Sequence, residues 1–137
     1  MSLESNRPIV FIGSVGGHLA DLYSVAQFIT SEKKAFLTFS RPKREGLHNH
    51  YYMLDPRTSL IRMLLNGLQS AILFVRLRPK FVISSGAGFS IPFVVLSYII
   101  GIKVVHFELA CQVELPSKTG NFFRKLGIEC FCQNHSL

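Results

Sequence analysis

The sequence has few of the residues from which catalytic metal sites and activated nucleophiles are built. Among its 137 residues the only aspartates are Asp21 and Asp55, so an Asp-x-Asp clamp for the metal ion of a sugar nucleotide cannot form. No two histidines stand at the spacing of a helical metal-binding pair. The Gly-x-Ser-x-Gly elbow of a serine nucleophile is also absent. We therefore expect a chemistry without a metal ion or an organic cofactor.

Cysteine is equally scarce. The chain has three cysteines, an odd number, which argues against a disulfide framework and for a reducing compartment. Cys130 and Cys132 are separated by one residue, which is not the spacing of a zinc knuckle, and with Cys111 they lack a fourth thiolate. We interpret the cysteines as packing residues.

Long uninterrupted apolar segments are missing as well. The longest, residues 91–105, is broken by Pro92, Gly101 and Lys103, and a membrane-spanning helix needs about 20 apolar residues. Residues 1–7 are polar, so no signal peptide is predicted. We expect the chain to lie in the cytoplasm, or on a membrane surface rather than through it.

Hydrophobic and basic residues are abundant. Hydrophobic residues make up 48% of the chain, and 15 Lys and Arg against 8 Asp and Glu give a net charge of +7. Such an excess suggests an anionic partner: nucleic acid, an acidic membrane or a phosphorylated ligand; a merely soluble basic protein is the alternative. Phe39, Phe122 and Phe123 lie near basic residues, but neither an RNA-recognition signature nor a helix-turn-helix pattern is present, so we expect no nucleic acid.

Short apolar runs alternate with segments of helical periodicity along the whole chain. Strands are predicted at residues 8–13, 35–39, 51–54, 80–84, 103–108 and 128–132. Helices are predicted at residues 17–29, from 55–58 to about 77, at 91–100 and at 119–126. This alternation predicts one α/β domain over residues 1–137, with a Rossmann-like parallel sheet covered by helices on both faces.

Two strand-to-helix turns are rich in glycine. Glycine lets the backbone approach a phosphate closely, and the helix that follows presents free N–H groups. No Lys-Ser or Lys-Thr pair follows the first turn, and its spacing misses the dinucleotide fingerprint. We predict an anion-binding site at the carboxyl edge of the sheet, the alternative being tight turns alone. The candidate residues are Gly13, Ser14, Gly16, Gly17, Ser85, Gly86, Ala87 and Gly88.

A third strand end carries two titratable residues. His106 and Glu108 are two positions apart on a predicted strand, so they face the same side of the sheet. They could be delivered to the edge together. The alternative is a hydrogen-bonded core histidine and a surface glutamate.

The long predicted helix that ends near residue 77 is more apolar than one buried stripe requires. Basic residues flank it, a composition typical of a helix lying in an anionic membrane interface. The alternative is a helix held between the sheet and a partner protein. The predicted interface residues are Arg57, Arg62, Leu64, Leu65, Leu68 and Arg76.

Four motifs in this order resemble a known family. They are residues 13–19 (Gly-Ser-Val-Gly-Gly-His-Leu), 85–93 (from Ser-Gly-Ala-Gly to Ile-Pro-Phe), 107–108 (Phe-Glu) and 116–120 (Pro-Ser-x-Thr-Gly). The set resembles the acceptor-side, membrane-anchoring subunit of two-component UDP-sugar glycosyltransferases. Its bacterial members serve exopolysaccharide and capsule biosynthesis. More distantly, the chain is similar to the amino-terminal half of the peptidoglycan N-acetylglucosaminyltransferase that acts on a lipid-linked intermediate.

The resemblance implies half of a GT-B glycosyltransferase. A separate donor-binding polypeptide would hold the UDP-sugar, and the acceptor would be a polyprenyl-diphosphate-linked saccharide on the inner face of the cell membrane. His18 would act on the acceptor hydroxyl as general base or by orienting it, and Glu108 would contact the acceptor sugar. The two glycine turns would hold the diphosphate. The alternative is a non-catalytic adaptor that recruits and stimulates a partner glycosyltransferase.

Overall fold

A computed structural model describes residues 7–13, 17–29, 33–38, 50–56, 58–85, 88–108 and 118–132, with the backbone alone at residues 17–21, 108 and 132. The structural statements below concern these residues.

Six parallel strands form one sheet. They are β1 (Ile9–Ile12), β2 (Lys34–Thr38), β3 (His50–Tyr52), β4 (Phe81–Ser84), β5 (Lys103–Glu108) and β6 (Glu129–Cys132). Their order across the sheet is β3-β2-β1-β4-β5-β6, and every neighbouring pair is parallel. The alternation of apolar runs therefore predicted the strands and their parallel arrangement correctly.

Four helices connect the strands: α1 (Gly17–Gln27), α2 (Leu60–Leu77), α3 (Ile91–Ile100), which follows a 3₁₀ turn at Gly88–Ser90, and α4 (Lys118–Leu126). The start predicted for α2 at residues 55–58 is wrong. Ser59 is the N-cap, and its Oγ accepts a hydrogen bond from the Arg62 N–H at 3.4 Å. Ser59 N–H also donates to Pro56 O at 3.1 Å, so the chain turns once more before the helix begins.

The helices cover both faces of the sheet, as predicted. One face, with Phe11 and Phe36, packs against Leu22 and Ala26 of α1. The other face carries the larger core, which includes Phe93 of α3 and Phe123 of α4 and is partly lined by α2. The chain crosses the sheet in one direction from β1 to β3 and in the other direction from β3 to β6, so the strand order reverses at the neighbouring strands β1 and β4. Because parallel crossovers are right-handed, α1 lies on one face of the sheet and the helices that follow β3 lie on the other.

Candidate functional site

The first residues of the two glycine turns, Gly13 and Ser85, meet where the strand order reverses. Ile12 of β1 lies opposite Ser84 of β4, and each strand runs directly into its turn. Hydrogen bonds continue past the strand ends, from Gly13 N–H to Leu37 O at 3.1 Å and from Ser85 N–H to Ile12 O at 3.0 Å. In open parallel sheets this reversal point at the carboxyl edge is where ligands bind.

Gly13 and Ser85 pack directly against each other. A Cβ at Gly13 would overlap Ser85 Oγ and would lie 2.8 Å from Leu22 Cδ1. Ser85 is itself buried, with 3% of its surface exposed. Packing between the turns therefore requires a glycine at position 13. Gly88 differs, because it is exposed and a Cβ there would meet nothing within 4 Å.

The amino termini of two helices point toward this edge. α1 begins at Gly17 after the first turn, and α3 begins at Ile91 after the second. The first turn of each helix contains no acidic residue. The positive dipole ends of both helices are therefore not neutralised by acidic side chains in their first turns, and such an arrangement attracts an anion.

His106 contacts Ser84, the last residue of β4 before the second turn. It is fully buried and lies opposite Ser84 in the register of β5 and β4. Its Nδ1 is 3.3 Å from Ser84 Oγ, and its ring contacts that of Phe123 edge-on, with centroids 5.1 Å apart. His106 is thus a hydrogen-bonded core residue. The hypothesis that it is presented at the edge together with Glu108 is wrong, since burial and these contacts hold its ring inside the domain.

The predicted catalytic residues lie at the carboxyl edge of the sheet by their backbones. His18 lies in the first turn of α1 and Glu108 is the last residue of β5, so the backbones of both are at the carboxyl edge. Their side chains lie outside the described part of the chain. Ser14, Gly16, Gly86 and Ala87 lie outside the described residues altogether. The catalytic and diphosphate-binding roles therefore stay predictions.

Helix α2 is fixed to the domain by one face. Asn66 Nδ2 donates a hydrogen bond to Leu54 O at 2.7 Å, and Leu54 N–H donates to Gln69 Oε1 at 2.7 Å. Leu73 and Phe74 pack on the core, and the Phe74 ring lies 6.1 Å from that of Phe93. The inner face of α2 thus makes its contacts within the chain.

The opposite face of α2 is apolar and open. Leu64 is 68% exposed and Leu68 is 59% exposed. A shallow groove of about 420 Å³ runs along this helix, lined by Ala71, Ile72, Val75 and Arg76. α2 is also long and apolar enough to cross a membrane, judged by length and composition only. Of the predicted interface residues, Arg62, Leu64, Leu65, Leu68 and Arg76 are exposed, and Arg57 lies outside the described residues.

The fold is similar to that of a solved protein, MurG of Acinetobacter baumannii. The two structures align with a TM-score of 0.67 at 15% sequence identity, over 91% of this chain and 40% of the MurG chain. The likeness is to the amino-terminal type of half found in MurG, and at this identity it shows the fold. This chain spans less than half of the length of that chain. No protein-family model matches the sequence, and no curated protein matches it.

Sequence patterns did not predict a second concave surface, at the opposite edge of the sheet. A cavity of about 320 Å³ opens beside the starts of β1 and β2, and it is lined by Pro8, Lys33, Lys34, Ala35, Tyr51, Arg76 and Leu77. The sequence feature that could have indicated it is the pair Lys33 and Lys34 at the start of β2. Only the fold brings that pair to the carboxyl end of α2.

No group of three or more His, Cys, Asp or Glu side chains that could hold a metal ion occurs among the described residues. Cys130 is half-buried against the main core, with its Sγ 3.8 Å from Gly120 O. That environment is consistent with a packing role.

Proposed function

We propose that this chain is the acceptor-binding, membrane-associating subunit of a two-component glycosyltransferase. It would help to move a sugar from a UDP-sugar to a polyprenyl-diphosphate-linked saccharide in polysaccharide biosynthesis. The observation that carries the proposal is the meeting of two glycine turns, each followed by a helix amino terminus, at the point where the strand order reverses. A diphosphate is the kind of ligand that such an edge favours.

The comparison with MurG supports the class of reaction. MurG is a GT-B glycosyltransferase, and the motifs of this chain resemble the acceptor side of that group. This chain aligns with 40% of the MurG chain, and under the proposal a separate polypeptide supplies the donor-binding half. The reaction would then take place in a cleft between the two, with the carboxyl edge of this sheet forming one wall.

The proposed chemistry is transfer of the sugar to an acceptor hydroxyl. The hydroxyl oxygen attacks the anomeric carbon, the bond from that carbon to the diphosphate of the UDP-sugar breaks, and UDP leaves. His18, in the first turn of α1, is the candidate to take or orient the hydroxyl proton. Glu108, at the end of β5, is the candidate contact for the acceptor sugar. The helix amino termini would stabilise the acceptor diphosphate without a metal ion.

The membrane part of the proposal rests on α2. Its inner face is held by Asn66, Gln69 and the core, so crossing a bilayer would require those contacts to break. Lying along the surface leaves them intact and buries the open apolar face. With 18 residues the helix is about 27 Å long, and its amino end lies at the carboxyl edge of the sheet. The glycine turns would thus be near the headgroups, within reach of a lipid-linked acceptor on the cytoplasmic side.

The test is transfer of labelled sugar from UDP-sugars to lipid extracted from the host membrane. It compares this chain alone, a donor-binding polypeptide from the same host alone, and the two together. We expect transfer only with both, and a loss of at least about a hundredfold in His18→Ala. His48→Ala is the matched control, because it removes a histidine from a segment without a proposed role.

The rival function is a non-catalytic adaptor. It would keep the apolar face of α2 but would tolerate loss of His18. Transfer by the partner alone, merely stimulated by this chain and unchanged in His18→Ala, would establish the adaptor and contradict the catalytic role.

A further inference from the structure

The amino-terminal edge of the sheet is basic. Basic residues stand at or just before the starts of four strands: Arg7 before β1, Lys33 and Lys34 at β2, Lys80 before β4 and Lys103 at β5. Arg7 and Lys103 have partners within the chain. Arg7 donates to Arg78 O at 3.0 Å and to Pro79 O at 2.8 Å, and Lys103 lies 3.7 Å from Glu129.

The three cations that line the cavity at this edge have no such partner. Among the described residues, the side chains of Lys33, Lys34 and Arg76 make neither an ion pair nor a hydrogen bond. No described carboxylate lines the cavity. Three like charges around one concavity repel each other, and an anion bound between them would relieve that repulsion. The volume of about 320 Å³ leaves room for a phosphate with a small organic substituent.

Arg76 connects this cavity to the apolar face of α2. It lines the basic cavity on one side and, with Ala71, Ile72 and Val75, the apolar groove on the other. A ligand that fills both must have a phosphate at one end and hydrocarbon next to it. That is the chemistry of a phospholipid, and the basic charge favours an anionic one.

We propose that the cavity lined by Lys33, Lys34 and Arg76 binds the phosphate of an anionic phospholipid headgroup, whose acyl chains run beside α2. This site lies at the edge opposite the glycine turns, a strand length of about 13 Å away. It rests on the membrane part of the proposed function, and it adds a site for bulk lipid that is separate from the acceptor.

The first test measures binding to vesicles of phosphatidylcholine, with or without about 30% phosphatidylglycerol. Lys33→Gln/Lys34→Gln removes two charges from the cavity. Arg124→Gln/Lys125→Gln removes two exposed charges from α4, outside the cavity, and is the matched control. Phosphatidylglycerol should increase the binding of the wild-type chain to the vesicles. We expect this increase to be about tenfold smaller in the cavity variant and about threefold smaller, or less, in the control. Equal losses, or a larger loss in the control, would mean diffuse attraction and would overturn the proposal.

The second test uses soluble glycerol phosphate and amide NMR shifts. Saturable shifts centred on Ala35, Tyr51 and Leu77, absent in the Lys33→Gln/Lys34→Gln variant, are the expected result. If the shifts do not saturate, or do not exceed those that chloride causes at equal ionic strength, the proposed site is wrong.

A third variant separates failure of the site from failure of membrane association. Leu64→Ser/Leu68→Ser should abolish binding to both kinds of vesicle and leave the glycerol phosphate titration intact. If the wild-type chain binds glycerol phosphate but no vesicle, the ligand is a free phosphate ester and the lipid assignment is wrong. Sugar transfer that persists in the cavity variant would leave the acceptor-binding proposal standing in either case.

Discussion

The two glycine turns look alike in the sequence but differ in their physical demands. At the first turn Gly13 is buried, and its missing side chain makes room for Ser85 and Leu22. At the second turn Gly88 is exposed and has open space where a side chain would be. One glycine is required by the fold, whereas the other leaves a surface open. The open glycine is therefore the better candidate for contact with a ligand.

The same contrast extends to what supports each turn. The first turn is packed against the second by the contact between Gly13 and Ser85. The strand that leads into the second turn is held at Ser84 by His106, whose ring packs against Phe123. Substitutions in the supporting residues should therefore affect stability, and substitutions at the open glycine should affect ligand binding.

The largest effect is expected at His106. His106→Ala removes a fully buried ring and its hydrogen bond with Ser84, and it leaves a cavity against Phe123. We expect a loss of about 3 kcal/mol in the free energy of unfolding, measured by urea denaturation. A loss below about 1 kcal/mol would show that the second turn does not depend on this residue.

A somewhat smaller effect is expected at Gly13. In Gly13→Ala the new methyl group overlaps Ser85 Oγ and crowds Leu22 Cδ1, so the two turns must separate. Overpacking of this kind costs about 2 kcal/mol, again measurable by urea denaturation. An unchanged midpoint would mean that the turns are not held together by this contact.

The contact itself can be isolated by a double-mutant cycle. Ser85→Gly removes the hydroxymethyl group that the Gly13→Ala methyl would overlap, and the Leu22 methyl can shift. We expect the double variant to be more stable than the sum of the single effects by about 1 kcal/mol. Ser97, a buried serine on α3 away from Gly13, provides the control. The losses of stability in Ser97→Gly and Gly13→Ala should add in the double variant. Additivity in both cycles would contradict the proposed contact.

Much of the fold could be predicted from the sequence, because each strand and helix has its own local pattern. The start of α2 could not, since Asp55-Pro56 resembles a helix start. The helix begins instead after Ser59, whose Oγ accepts a hydrogen bond from the Arg62 N–H. Leu54, before Asp55 and Pro56, is held against the helix by hydrogen bonds with Asn66 and Gln69, residues more than ten positions further along the chain.

The candidate site was predicted only in part, for a similar reason. Glycine spacing locates the turns, and parallel strands place them at one edge. That they touch depends on β1 and β4 being neighbours, a matter of strand order that no local pattern contains. The burial of His106 depends on Phe123, which belongs to a helix further along the chain. The cavity with Lys33, Lys34 and Arg76 likewise joins two distant segments.

The smallest effect on stability is expected at Gly88. This position also tests most directly whether the two glycine turns differ in role. A methyl group there meets no atom within 4 Å, and the backbone at this position does not have a positive φ. Gly88→Ala should therefore change the free energy of unfolding by less than about 0.5 kcal/mol. If the second turn holds a diphosphate, the same methyl group should hinder its approach and weaken acceptor binding by about tenfold, seen as a higher KM for the lipid acceptor. Gly67→Ala, on α2, is the matched control, because a Cβ there also meets nothing and the position has no role in the acceptor site. Equal KM values for the Gly88→Ala and Gly67→Ala variants would show that the second turn does not contact the ligand. The two turns would then differ in packing alone.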